Sequence, residues 1–237
     1  MVQTGIITIT IPYWLTILAL ILPLVPVFII FFRRAFLQES LTYLMILCIF
    51  LFIEQVIIRL PQFSSMDPGL VLPAFRLGEF VILFLLFRAA LQQSWFKELL
   101  TYFLVSFASV VITIFVNKGL DAYHRNIDIA EGCIIVLLSI LVLLQLIRNQ
   151  YMFIFQSPLF WIAGGSLCFY LMSLLIEFMS GNGMFTGSEK ENEKAILLLG
   201  FSVIRLIFYI IAAAIKQYRK DDDGWMFLPA DDGKEMD

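Results

Sequence analysis

Charged side chains, histidine and cysteine are all scarce in this sequence. Only 15% of the 237 residues are charged, against about a quarter in an ordinary soluble domain. The single histidine, His124, cannot supply the several ligands that an intramembrane zinc hydrolase needs. The three cysteines, Cys48, Cys133 and Cys168, all lie inside apolar runs and include no CxxC pair, so they do not indicate a disulfide framework.

Motifs for catalysis and for nucleic-acid binding are missing as well. The sequence has no HExxH, no GxSxG, no paired Ser/His arrangement and no glycine-rich phosphate loop. It also has no basic stripe with interleaved aromatic residues, which is the usual mark of a nucleic-acid-binding protein. We therefore expect no enzyme activity, no cofactor, no metal centre and no nucleic-acid partner.

Apolar residues dominate what is present. They make up 61% of the chain, and the mean hydropathy is +0.92, so the sequence predicts an integral membrane protein. A bilayer core needs about 20 mostly apolar residues per helix. Seven stretches meet that length, and they run near residues 12–32, 40–60, 71–91, 97–117, 129–148, 158–179 and 195–216.

These stretches predict an all-α, polytopic fold. Residues 1–220 are expected to form a seven-transmembrane-helix bundle, in which Pro23 and Pro26 kink the first helix because each removes a backbone donor. Residues 221–237 are expected to form a disordered acidic cytoplasmic tail, since the last 17 residues contain seven acids.

The orientation follows from Lys and Arg in the short connections. One set of connections holds eight of these residues, namely Arg33, Arg34, Arg88, Lys97, Arg148, Lys216, Arg219 and Lys220. The other set holds five, namely Arg59, Lys118, Arg125, Lys190 and Lys194. The bias predicts that the N-terminus lies outside and that the C-terminus is cytoplasmic. We expect the protein to reside in the inner cell membrane.

Several ionisable residues fall inside the apolar stretches. Each costs roughly 2.5–3.5 kcal/mol on insertion scales, so such residues usually pair with one another or line a wet cavity. They are Glu54, Arg59, Arg76, Glu79, Glu131, Glu177 and Arg205. In the predicted orientation six of them lie in the outer half of the bilayer and Arg205 lies near the midplane. That shared depth on five helices predicts a polar cavity in the outer half.

Helical spacing gives a second argument for the cavity. Polar residues three or four apart share one face of a helix, and we expect such faces to turn inward. Three faces of this kind are Ser106, Ser109, Thr113 and Asn117; Ser166, Tyr170, Ser173 and Glu177; and Ser202, Arg205 and Tyr209.

The candidate ligand-binding or relay residues are Glu54, Arg76, Glu79, Tyr170, Glu177, Arg205 and Tyr209. Arg205 is expected to pair with Glu79 or Glu54, while Arg76 and Glu79, three apart, can pair on their own helix. A structural interpretation stays open for the charges near span ends, such as Glu131 and Glu177, which can snorkel to the interface. Gly164, Gly165 and Gly200 are interpreted as positions where helices pack closely.

The last quarter of the chain resembles a known type of membrane module. SPLFWIAGGSLCFYLMSLLIEFM, followed by a polar loop and AILLLGFSVIRLIFYIIAAAIKQYRK, is similar to the last two spans of small bacterial seven-span modules. Those modules stand alone or are fused to sensor histidine kinases, so the resemblance implies signal input at a membrane. It identifies no ligand residues, and no kinase domain follows the last stretch in this sequence.

The leading hypothesis is a sensor or receptor-like module. It would bind a small-molecule or lipid ligand, or respond to the bilayer, through the outer-half cavity. A cytoplasmic signalling partner would bind the tail at its WMFLP cluster, residues 225–229. One alternative is a small transporter or channel that uses the same charges as a relay. A further alternative is a structural subunit of a larger membrane complex.

Overall fold

All seven apolar stretches are helical in the computed structural model, which describes residues 13–34, 38–59, 68–118, 123–148, 154–181, 188–215, 220–221 and 224–225. The helices are α1 (Tyr13–Ile21), α2 (Leu24–Phe32), α3 (Glu39–Arg59), α4 (Pro68–Ala90), α5 (Ser94–Lys118), α6 (Tyr123–Arg148), α7 (Pro158–Gly181) and α8 (Ser188–Ala214). A 3-10 turn spans Ile154–Gln156, and β1 (Lys220–Asp221) pairs antiparallel with β2 (Gly224–Trp225). The rest of the predicted tail lies outside the described residues.

Four of the helices are long and apolar enough to cross a membrane. Their apolar segments are Glu39–Ile57, Ile127–Arg148, Pro158–Ser180 and Glu193–Ala214, and a shorter apolar stretch covers Ile17–Phe32. This is compatible with a multi-pass membrane protein. Helix α4 also has the length of a span, but it carries Arg76, Glu79 and Arg88. The count of seven spans and the placement of the termini therefore stay predictions.

The first predicted span is broken into two nine-residue helices, α1 and α2, at the position of the prolines. Pro26 has no amide hydrogen for the Leu22 carbonyl, and the Val25 amide donates to that carbonyl instead, at 3.1 Å. Pro23 likewise has no donor to offer, and it occupies the N-cap position of α2. The predicted kink is confirmed.

Six helices form a closed ring. In contact order the ring runs α2, α3, α4, α6, α7, α8 and back to α2, and α3 also contacts α7 across it. Helices α7 and α8 approach closely at Gly165 of α7, where an added Cβ would lie 2.7 Å from the Phe208 Cβ on α8. Helix α5 packs on the outside of the ring against α6 and α4.

A dry apolar core fills one end of this ring. Phe80, Phe84 and Phe87 of α4 are fully or almost fully buried, and they pack with buried leucines of α3 such as Leu44 and Leu47. At the same end, Arg33 donates hydrogen bonds to the carbonyls of Ala213 and Ile215, at 2.6 and 3.3 Å. A cation bonded to the last carbonyls of α8 compensates the negative end of that helix.

Candidate functional site

The charged residues gather at the end of the ring opposite the apolar core. In α3, Glu54 follows the buried apolar run, whereas in α4 and α8 the charged residues Glu79 and Arg205 precede it. Arg205 pairs with Glu79, and Glu54 lines the same cavity, so these opposite orders in sequence become one level in space. Alternation of helix direction is what turns scattered charges into a cluster.

Glu79 and Arg205 form the centre of the cluster. Both residues are buried, at 8% and 2% exposed, and the Arg205 guanidinium forms an ion pair with Glu79 Oε1. The Tyr170 hydroxyl donates to the same oxygen at 2.8 Å. On its other side the guanidinium carbon lies 4.0 Å from the centre of the Phe169 ring, a cation–π contact that is strong where water is excluded.

Tyr209 lies one turn beyond Arg205 on α8, on the side of the ion pair that faces the apolar core. Its oxygen is 2.8 Å from Ser166 Oγ, and both residues are fully buried. The faces predicted for α7 and α8 thus meet each other, with Ser166 and Tyr170 of α7 opposite Arg205 and Tyr209 of α8. This interlock holds the guanidinium in one position.

Arg76 pairs with a different helix from the one that its spacing suggested. Its guanidinium forms an ion pair with Asp128 of α6, and Glu79 is taken by Arg205, so the two do not pair along α4. Asp128 is not among the predicted site residues, because the fifth predicted stretch starts only near residue 129. Its spacing of three from Glu131, on one helix face, is the pattern that could have included it.

A cavity of about 350 Å³ lies among these side chains. The charged residues of its lining, within the described part of the chain, are Glu54, Arg76, Glu79, Asp128, Glu131 and Arg205. The Arg76 side chain is 53% exposed, so the cavity meets the surface of the bundle at this residue. A volume of this size suits a small organic ligand.

The break between α1 and α2 also reaches this cavity. Ala19 and Pro23 belong to its lining, and Pro23 cannot give an amide hydrogen to the Ala19 carbonyl four residues before it. A discontinuous helix therefore borders a polar cavity inside a ring of apolar helices.

Two of the lining carboxyls have no cationic partner among the described residues. Neither Glu54 nor Glu131 forms an ion pair there. Glu131 is only 4% exposed, and its Oε1 accepts no hydrogen bond from any described residue. Arg205 Nε is likewise buried without an acceptor in the described part of the chain. Two residues that line the cavity therefore have an unpaired buried atom, an acceptor in Glu131 and a donor in Arg205.

The remaining candidates lie elsewhere. Glu177 is outside the cavity lining and pairs with Lys194 of α8 at 2.7 Å, with both side chains partly exposed. Arg59 and Asn117 have side chains outside the described residues. Among the helices and connections that the structure describes, no group of three His, Cys, Asp or Glu residues is placed to hold a metal ion.

The inward turn predicted for the polar face of the fourth stretch is wrong. Ser106, Ser109 and Thr113 are exposed, because α5 lies outside the ring. Ser109 and Thr113 donate to carbonyls one turn earlier, at 2.9 and 2.7 Å. Each hydroxyl is thus satisfied within its own helix and needs no partner across the bundle.

Comparisons with protein-family models, with curated proteins and with solved structures find no match to this chain. The resemblance to sensor-type modules stays a prediction.

Proposed function

We propose that this chain is a multi-pass membrane receptor that binds a small polar ligand in the cavity beside Arg205 and Glu79. Counting α1 and α2 as one span gives seven, with the N-terminus outside, the C-terminus cytoplasmic and the cavity in the outer half of the inner cell membrane. The observation that carries the proposal is that two residues lining a 350 Å³ cavity, Glu131 and Arg205, each have a buried polar atom, Oε1 and Nε, without a partner among the described residues. Buried polar groups in folded proteins are nearly always hydrogen-bonded.

The ion pair offers a route by which a ligand could act on distant parts of the protein. Glu79 is on α4, Tyr170 on α7 and Arg205 on α8, so one carboxylate oxygen joins three helices. A ligand that competes for any of these bonds shifts the packing of all three, provided that it binds one packing better than the other. The cytoplasmic partner at residues 225–229 is the receiver that this proposal requires.

A panel of small polar molecules tests the proposal against the protein in lipid nanodiscs. At least one compound should raise the melting temperature of the wild type, since a ligand that binds only the native state stabilises it. The same compound should leave Ser173→Phe unshifted, because Ser173 lines the cavity and a phenyl ring would fill it. Gly200→Ala, on a face with no described atom within 4 Å of an added Cβ, is the matched control. A panel without a single cavity-dependent ligand would count against the proposal.

A second candidate is a carrier, and the broken first helix favours it. Discontinuous helices that border a polar site near the membrane midplane are typical of secondary transporters, and the break at Pro23 borders this cavity. Proteoliposomes distinguish the two functions. A carrier accumulates or exchanges the compound across the bilayer, whereas a receptor binds it at a fixed stoichiometry without flux.

A further inference from the structure

The charges of the described residues that line the cavity do not balance. Among these residues, four carboxyls, Glu54, Glu79, Asp128 and Glu131, face two guanidinium groups. The two ion pairs use one carboxyl each, which leaves Glu54 and Glu131 over. A ligand that brings positive charge would correct this imbalance, whereas an anion would add to it.

Glu131 is a buried carboxyl without a cationic partner among the described residues. A buried carboxylate without a partner is strongly unfavourable, because the loss of hydration is compensated neither by an ion pair nor by a hydrogen bond. Such a group takes up either a proton or a cationic partner from outside the chain. Glu131 and its unused Oε1 are buried on the lining of a cavity, which provides both the charge and the space for a partner.

The dimensions and the lining favour an organic cation over a bare ion. The cavity is within the range that holds small organic ligands, and apolar side chains such as Leu51, Leu174 and Leu206 line it beside the carboxyls. An ammonium group attached to an apolar body matches both kinds of surface. Arg205 already occupies the face of Phe169, which leaves the carboxyls as the sites for a second cation.

Resting on the proposed function, we propose that the ligand is an organic amine whose ammonium group binds Glu131, with Glu54 as the second carboxyl. Its apolar part lies against the leucines of α3, α7 and α8. The Arg205–Glu79 and Arg76–Asp128 pairs stay intact and hold the frame around it.

Three molecules of nearly equal shape test the charge preference: 2-phenylethylammonium, 2-phenylethanol and phenylacetate. Binding is measured by the melting temperature in nanodiscs and by isothermal titration at two salt concentrations. The ammonium compound should bind best, and Glu131→Gln should weaken it ~10-fold or more, the usual effect of losing a hydrogen bond to a charged group. Glu98→Gln, on the exposed side of α5 near the other end of the ring, should leave its affinity unchanged.

A second readout guards against a variant that merely misfolds. Without ligand, Glu131→Gln should melt at the same temperature as the wild type or higher, because the amide removes a buried charge without a partner. Calcium chloride, tested alongside, should give no shift in melting temperature that depends on Glu131. Such a shift would indicate that the site binds a metal ion and not an amine.

The outcomes separate this inference from the function on which it rests. If the alcohol or the carboxylate binds best and Ser173→Phe abolishes the binding, the cavity binds a ligand and the amine assignment is wrong. If the ammonium compound binds equally well to Glu131→Gln, the assignment is also wrong. If none of the three compounds and no member of the wider panel binds in a cavity-dependent way, the proposed function fails with it.

Discussion

Tyr170 and Arg205, which face each other from α7 and α8, donate to the same carboxylate oxygen of Glu79 on α4. The arrangement concentrates three helices on one acceptor, and the apolar core begins directly beside it at Phe80. A permanent charge in the middle of an apolar helix is tolerated here because its partner is equally buried.

Loss of either member of the buried pair is expected to destabilise the protein strongly. Glu79→Gln or Arg205→Met leaves the other charge buried and unpaired, which costs about 3–5 kcal/mol. The double variant, Glu79→Gln with Arg205→Met, should lose less than the sum of the two single variants. Reversible unfolding in mixed micelles gives the free energies for this cycle.

The Glu177–Lys194 pair is the control for that cycle. It joins the same residue types as many surface ion pairs, and both side chains are partly exposed, so Glu177→Gln should change stability by about 1 kcal/mol or less. Equal losses for Glu79→Gln and Glu177→Gln would show that burial does not set the importance of the central pair.

Close packing of α7 on α8 predicts different effects for two glycines. Gly165→Ala brings a methyl group to 2.7 Å from the Phe208 Cβ, and overpacking of this kind costs about 1–3 kcal/mol. Gly200→Ala meets no described atom within 4 Å and should be neutral, or stabilising by up to about 1 kcal/mol through helix propensity. Unfolding of both variants in the same detergent checks the contrast, and similar values would contradict it.

These glycines also illustrate what could be predicted from the sequence. Both are predicted packing positions, because a glycine in an apolar helix allows close approach; the prediction is confirmed for Gly165 and wrong for Gly200. Which side of a helix faces a neighbour depends on the arrangement of the ring, and it cannot be predicted from the sequence of one helix. The seven apolar stretches and the break at Pro23 follow from residue type and local spacing. That Arg205 needs a buried carboxyl follows from its depth in an apolar stretch, but the choice between Glu79 and Glu54 does not.

The errors in the predicted site have the same origin. The face of Ser106, Ser109 and Thr113 has the period of a buried stripe, yet α5 lies outside the ring and the stripe is exposed. Arg76 has an acid three residues away on its own helix, but it forms its ion pair with Asp128 of a neighbouring helix. Local spacing predicts which side chains share a face, whereas the partner depends on contacts distant in sequence.

The seven-span topology predicts which connections share a side of the membrane. In a variant with Cys48, Cys133 and Cys168 replaced by alanine, single cysteines at Gln38 and Gln93 should both be protected from a membrane-impermeant maleimide in intact cells. A cysteine at Thr186 should react. Labelling of Gln93 without Gln38 would mean that α4 does not cross, and labelling of both with protection of Thr186 would reverse the orientation.

The contact of Arg33 with the end of α8 predicts local fraying when it is removed. Arg33→Ala loses the bonds to the Ala213 and Ile215 carbonyls and should cost about 1 kcal/mol. Hydrogen exchange of the last turn of α8 should accelerate, while exchange near Glu79 stays unchanged. Arg33→Lys keeps the charge and should restore part of the protection; uniform acceleration in all helices would instead indicate global destabilisation.

The break between α1 and α2 predicts a variant that separates function from stability. Replacing Pro23 and Pro26 by alanine gives the Ala19 carbonyl a donor four residues later, and it lets the Leu22 carbonyl, which now accepts from the Val25 amide, accept from position 26 as in a regular helix. Helices α1 and α2 can then join into one helix. Because Pro23 and Ala19 line the cavity, a continuous helix should change its shape and weaken binding of 2-phenylethylammonium ~10-fold. The free energy of unfolding should not fall, since backbone hydrogen bonds are gained.

If the protein is a carrier, uptake into proteoliposomes should fall further than equilibrium binding, because a stiff helix opposes the rearrangement that releases the ligand on the other side. Equal losses in binding and uptake would show that the break only shapes the cavity. Unchanged binding and uptake would show that the break has no part in the site.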